Sequence, residues 1–192
     1  MYNIKKNENF VQVLEQLLQG TQNPILTAID GKCAAGKTTL GEYLQQQFDC
    51  NLFHMDDFFP QLTQRTEERM QEIGGNVDYE RFQLEVLQPL NRKEDVVYRP
   101  FDCSVGAIGK EIIIPYKRLN VIEGSYSQHP FFGNCYQLRV FMDISYEQQL
   151  ERIKVRNGAV KLEQFVEKWI PKENAYFEKF QIAQRSDIVV SR

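Results

Sequence analysis

The chain has 192 residues, 42% of them hydrophobic and 26% charged, a length that suits one domain and a composition that can fill an ordinary core. Its formal net charge of −3 comes from signs interspersed along the sequence, without the basic block that a nucleic-acid or anionic-membrane partner calls for, so neither partner is expected. No apolar run approaches membrane-spanning length, Met1–Phe10 is too polar for the core of a secretion signal, and Cys33, Cys50, Cys103 and Cys135 show no C-x-x-C spacing; a cytoplasmic protein with reduced thiols is the expectation.

In chain order, Phe10, Val11, Val13, Leu14, Leu17 and Leu18 form a helical stripe closed by Gly20, which predicts an N-terminal helix over 8–19. Residues 24–30 read as a short buried strand. The next eight, Gly31-Lys32-Cys33-Ala34-Ala35-Gly36-Lys37-Thr38, match the phosphate-binding pattern G-x-x-x-x-G-K-[ST], and a helix with apolar residues at helical spacing follows to about Phe48. Strand, loop and helix together are the context the pattern needs. Gly31 and Gly36 let backbone N–H groups converge on an anion, and the helix start adds its positive end. Residues Gly31 through Thr39 are therefore the candidate nucleotide site, with Lys37 placed to reach the β- and γ-phosphates and the Thr38 hydroxyl to ligate Mg²⁺. A chain that binds a nucleoside triphosphate is expected.

A second strand over Asn51–Met55 delivers Asp56 and Asp57. Residues 60–76 are polar and close on Gly74-Gly75-Asn76, suiting a mobile helical flap on which Arg65 and Arg69 read as solvated charges. Tyr79 to Leu90 reads as a helix stopped near Pro89, and Val96–Tyr98 with Glu111–Ile114 as a small antiparallel ribbon. Leu119–Ile122 and Leu138–Met142 are compact strands that end at Glu123 and Asp143. Tyr146–Val155 and Leu162–Ala183 are helical, the second with a break at Pro171, where Glu173 is a candidate polar contact although a structural kink is the simpler reading; Ile188–Val190 is a last strand. Five buried strands separated by helices predict a parallel sheet covered on both faces, with a site along the strands' carboxyl ends. That rule gathers Asp30, Asp56, Asp57, Glu123 and Asp143 at one edge. Phosphoryl transfer needs two such acids, a metal holder and a base, and a strand-end acid without function is the default for each of the others.

The phosphate loop, His54-Met55-Asp56-Asp57-Phe58-Phe59, Asn76-Val77-Asp78, Phe101-Asp102, Ile122-Glu123-Gly124 and the segment Arg152–Arg156 occur in an order that resembles the uridine kinase family, itself similar to nicotinamide riboside and bacterial pantothenate kinases. The resemblance spans most of the chain from Pro24 onward. It implies that Asp56 is the general base toward the acceptor hydroxyl and that Glu123 joins Thr38 in ordering Mg²⁺. By the same resemblance Asp78 holds ribose hydroxyls, Phe101 walls the base, and Arg152 and Arg156 contact the transferring phosphate; Tyr126, just beyond Glu123-Gly124-Ser125, is added as a residue near the pocket. Phe101 stands where that family usually has tyrosine, and no clear base-reading histidine follows it. His54 and His129 each read as packing residues as readily as ligands.

The expected architecture is α/β, a single domain over 1–192 with a three-layer P-loop fold and a five-stranded parallel sheet of order 2-3-1-4-5. Helices cover both faces, with an acceptor flap at about 60–118 and a short lid at about 152–161. The expected activity is ATP- and Mg²⁺-dependent phosphorylation of a primary hydroxyl on a small metabolite, most readily a nucleoside such as uridine or cytidine. Pantothenate or a nicotinamide riboside are the rival acceptors, and a regulatory nucleotide-binding protein is the rival class. Oligomeric state is not written in the sequence.

Overall fold

The computed structural model describes residues 4–191. The reading of Met1–Phe10 thus falls partly outside the described residues, as do the ends of the 1–192 span. Helix α1 (Ile4–Gly20) leads into β1 (Ile25–Gly31), the phosphate loop, α2 (Lys37–Gln47) and β2 (Cys50–His54). A polar stretch with the short helix α3 (Glu67–Gln71) precedes α4 (Tyr79–Phe82), which runs through a wide π turn (Gln83–Leu87) into α5 (Gln88–Asn91). Two short ribbons follow, β3 (Val96–Tyr98) against β6 (Ile112–Ile114) and, nested inside, β4 (Phe101–Asp102) against β5 (Ala107–Ile108). The chain then supplies β7 (Leu119–Glu123), β8 (Leu138–Asp143), α6 (Tyr146–Asn157), α7 (Ala159–Gln164), a second π turn (Phe165–Trp169), α8 (Ile170–Lys179), α9 (Ile182–Arg185) and β9 (Ile188–Ser191).

The main sheet is parallel throughout, in the order β2-β7-β1-β8-β9. Counting only its own strands along the chain, that is 2-3-1-4-5. Alternation along the strands divides the core into two layers. Leu26 and Ala28 of β1, Phe53 of β2, Ile122 of β7 and Phe141 of β8 face an aromatic-rich layer with Phe58, Phe82 and Tyr176. Their neighbours Ile25, Ile29, Leu119, Val121, Leu138 and Val140 face the layer formed with Phe10, Leu14, Leu40 and Leu44 of the two flanking helices. A period of two in residues buried on both faces is what makes these strands read as continuous apolar runs. Among the described residues no helix is long and apolar enough to cross a membrane.

Three expectations are corrected. Pro171 does not break its helix, whereas the helical run from Tyr79 does end just past Pro89, at Asn91; each proline sits at the start of a helical segment that follows a π turn, and the wider turn absorbs the missing N–H and the ring without breaking the rod. The stretch over 60–76 is tied down. Arg69 is no solvated charge, for its guanidinium donates to the carbonyls of Gly75 and Val77, to the Tyr79 hydroxyl and to both carboxylate oxygens of Glu80. Asp56 and Asp57 stand on a 3₁₀ turn (Met55–Phe58) rather than on an extended strand end, so their side chains diverge by a helical rather than a strand rotation.

Candidate active site

The loop between β1 and α2 is shaped by close approach. At Gly31, with φ of 137°, a Cβ would lie 2.2 Å from the Met142 carbonyl oxygen of the neighbouring strand, so no other residue fits. Gly36 holds φ of 96° at the head of α2, whose first-turn N–H groups point into the loop without partners in the helix. Not every loop group is open to an anion: the Lys32 N–H donates to the Met142 carbonyl (3.1 Å), and its ammonium pairs with Asp143 (2.7 Å) and the Ile144 carbonyl (3.1 Å). Asp143 is thereby explained as a structural partner. The Cys33 thiol accepts from the Gln149 amide and burial pushes its pKa up to about 12, which makes it inert.

Lys37 and Thr38 stand at the mouth of the loop. The buried Lys37 ammonium donates to the carbonyls of Gly31 (2.7 Å) and Lys32 (3.0 Å) and reaches Ser125 Oγ (3.3 Å). The Thr38 hydroxyl donates to Glu123 Oε1 (3.0 Å), and His54 Nδ1 lies 2.6 Å from the same oxygen. The hydrogen bond to that carboxylate raises the His54 pKa, against the opposing effect of burial. So β7 brings Glu123 to the loop's hydroxyl across 85 residues of sequence, and β2 adds a histidine behind it. Both protein oxygens are hard donors of the type Mg²⁺ takes. Among the described residues no group of three or more His, Cys, Asp or Glu could hold a metal by itself.

The two adjacent acids separate. Asp57 Oδ2 accepts from the Tyr98 hydroxyl (2.8 Å), fixing it against the β3 ribbon. The Asp56 carboxylate has no hydrogen-bond or ion-pair partner among the described residues. It sits in a concave setting, open to solvent but surrounded by protein, where burial, Glu123 and Glu173 raise its pKa while Lys37 and His54 pull it down. Beside it opens a cavity of about 440 Å³ bounded by Phe59, Arg65, Asn76, Phe101, Trp169 and Lys172 among others. Cys103, another wall residue, is close enough to feel the charge of Asp56 and of Arg65. Phe101 lines this cavity, its ring edge-on to Phe59 and covered by the Arg65 guanidinium. Asp102 turns away to Ser104.

Other predicted residues are placed differently. Asp78 is 3% exposed and caps α4: Oδ1 accepts from the Arg81 N–H and Oδ2 from the Gln64 amide, so neither oxygen is offered to a diol. The Tyr126 ring packs on Tyr176 at 4% exposure, beneath the site rather than lining it, and its backbone is held at φ of 74° with the N–H aimed at Asp30. Arg152 donates to the Ala34 carbonyl of the phosphate loop (3.2 Å), whereas Arg156, one turn on, is exposed and bonds its neighbour Asn157. The pair does not converge. Asp30 is fully buried and accepts from the N–H groups of Gly31, Tyr126 and Gln128 and from the Tyr176 hydroxyl; burial pushes its carboxyl up to about 6 against those donors. It is a structural knot beneath the loop.

Glu173 is the site residue that sequence reasoning set aside. It is 7% exposed; Oε2 accepts from the Cys33 N–H (3.0 Å) and Oε1 from the Ser125 hydroxyl (2.6 Å), so a carboxylate from α8 already occupies part of the anion-binding loop. The signal was a charge within an apolar stripe: Ile170, Glu173, Tyr176 and Phe177 share one buried helix face.

No family model and no curated protein matches the chain. Solved structures do. Over 96% of this chain and 99% of the other, at 18% identity and a TM-score of 0.71, the fold is that of a structure described as a possible uridine kinase from Bacillus stearothermophilus. A putative fructose transport system kinase from Silicibacter sp. TM1040 is similar over 92% and 94% of the two chains, at 20% identity and a TM-score of 0.69. D-glycerate 3-kinase from Cryptococcus neoformans is similar over 83% and 84%, at 14% identity and a TM-score of 0.62. At these identities what is shared is the fold, a three-layer α/β architecture around a five-stranded parallel sheet.

Proposed function

We propose that the chain transfers the γ-phosphoryl group of ATP to a hydroxyl of a small metabolite. The observation that carries this reading is the Thr38–Glu123 contact at the mouth of the phosphate loop, with the unpartnered Asp56 beside the neighbouring cavity. In the proposed reaction the acceptor oxygen bonds to the γ-phosphorus and the bond from that phosphorus to the β–γ bridging oxygen breaks. ADP leaves with the electron pair, and Asp56 takes the hydroxyl proton. A raised pKa makes Asp56 a stronger base than an exposed aspartate. Lys37, now held by loop carbonyls, exchanges one of them for a phosphate oxygen, and Arg152 stands over the same loop to share the developing charge. Thr38 and Glu123 would hold Mg²⁺, which supplies charge neutralisation between the phosphates when bound.

The finer reading, a ribonucleoside acceptor such as uridine or cytidine, is supported by the Phe101 ring on the cavity wall and by the family resemblance. Asp78 gives it no support, being occupied as a helix cap. Pantothenate and nicotinamide riboside rest on the resemblance alone. The test is transfer of label from radiolabelled ATP to a panel of hydroxylated acceptors, with Lys37→Ala as the control. Loss of ~4 kcal/mol of transition-state stabilisation should slow that variant about a thousandfold. A folded Lys37→Ala protein that transfers at the wild-type rate would end the reading.

A further inference from the structure

The cavity beside Asp56 is lined by cations and by no acid. Arg65 enters from the stretch before α3, and Lys168 and Lys172 come from the second π turn and α8. None of the three forms an ion pair among the described residues, although the chain carries more acids than bases. Their positive ends are instead placed over apolar surface or on carbonyls. The Arg65 guanidinium lies 5.3 Å from the centre of the Phe101 ring, and its Nε donates to the Pro60 carbonyl. Lys168 lies 4.7 Å from the Trp169 ring, and Lys172 donates to the Met70 carbonyl (3.0 Å). Lys168 and Lys172 are spaced i, i+4, where like charges repel, and the Lys172 pKa is lowered by burial first and by Lys168 second. An isolated cation on a surface is ordinary. Three that converge on one concave space, two of them in mutual repulsion and with no carboxylate among the lining residues, leave a positive potential that a bound anion would relieve.

Resting on the phosphoryl-transfer reading, we propose that the acceptor is itself an anion: a small hydroxylated molecule whose carboxylate or phosphate is held by Arg65, Lys168 and Lys172 while its hydroxyl is presented to Asp56. The cavity would then hold the anionic group among its three lining cations, with the base close by at the Cys103 wall. Phe101 and Trp169 supply apolar walls for the carbon skeleton between them. A neutral nucleoside has nothing to place among the three cations.

Trp169 is the chain's single tryptophan and lines this cavity, so binding can be read from its fluorescence without turnover. The probes are short hydroxycarboxylates with their amides, sugar monophosphates with their parent sugars, neutral ribonucleosides, and inorganic phosphate. Each is titrated against the full chain and against Arg65→Gln, Lys168→Gln, Lys172→Gln and Lys172→Arg, and then offered as acceptor with ATP and Mg²⁺. The expected result is that one anionic class binds and accepts phosphate, with its neutral analogue at least about a hundredfold poorer in kcat/KM. Each Gln variant should raise KM for that anion about tenfold at unchanged ATP affinity, with Lys172→Arg restoring it. A carboxylate acceptor is told from a phosphate one by which pair shows the difference. If neutral ribonucleosides are phosphorylated best and the Gln variants leave their KM unchanged, the anionic acceptor is overturned while the kinase reading stands. If an anion quenches Trp169 in a lysine- and arginine-dependent way but no acceptor is phosphorylated, the anion pocket stands and the kinase reading falls. Absence of both quenching and transfer removes the proposal.

Discussion

Asp56 and Asp57 are adjacent in the chain and differ in their hydrogen bonding. Asp57 spends its carboxylate on the Tyr98 hydroxyl, while the Asp56 charge reaches Cys103 on the cavity wall. Asp56→Asn keeps the shape but cannot accept a proton, so kcat should fall by ~10²- to 10⁴-fold with ATP affinity retained. Asp57→Asn should lose less activity, since the 3₁₀ turn keeps its Phe58 and Arg81 contacts. The pH profile gives a second measure. A base is active when deprotonated, and burial raises the Asp56 pKa; kcat/KM should therefore fall as pH drops, with its acid limb above the range of an exposed aspartate. That limb should vanish in Asp56→Asn; an unchanged limb would assign it to another group. The arginines of α6 divide in the same manner. Arg152→Ala should lower kcat by more than tenfold through loss of a positive charge at the loop, an order of magnitude typical of charge stabilisation. Arg156→Ala should stay within about twofold, because exposed charges contribute little.

At the scale of elements, β1 ends in a buried acid that fastens it to the loop after β7 and to α8. Asp30 accepts four donors from Gly31, Tyr126, Gln128 and Tyr176, and Asp30→Asn would turn an amide NH₂ toward at least one of them. The variant should lose about 3 kcal/mol of unfolding free energy, measured by urea denaturation, whether or not it binds ATP. A loss below 1 kcal/mol would mean the loop and helix hold without it. The same elements show what the sequence made legible. The phosphate loop and the five strands were readable because their signals are local: two glycines and a lysine at fixed spacing, and apolar runs bounded by turns. The π turns before Pro89 and Pro171 were not, since no local pattern says that a helix will widen to carry a proline through. Nor was the fate of Asp78, because a cap and a sugar-binding carboxylate use the same residue type at the same helix start. Glu173 reaches Cys33 across 140 residues, and such a contact exists only once the layers have packed.

At the scale of the whole molecule, α8 and the π turn before it touch both halves of the site. Glu173 faces the phosphate loop, while Trp169 and Lys172 face the acceptor cavity on the same helical rod. Glu173→Gln keeps the size and an acceptor for the Cys33 N–H but removes a negative charge from beside the triphosphate's place. ATP should bind that variant roughly three- to tenfold more tightly, equivalent to about 1 kcal/mol in a partly screened setting. Titration calorimetry would decide, and weaker binding would show that the carboxylate supports the loop instead. The carboxylate also bears on the order of events. A triphosphate entering the loop competes with an anion that is already there, so nucleotide binding is an exchange in which α8 gives up its hold on Cys33. Because Trp169 and Lys172 ride on that helix, a shift of α8 on release would re-set one wall of the cavity. Donor and acceptor of the proposed reaction would then be coupled: whatever factor ATP applies to acceptor affinity, the acceptor must return to ATP. A kinase of the proposed kind would thus report, through a single rod, whether its donor has arrived before its acceptor is held.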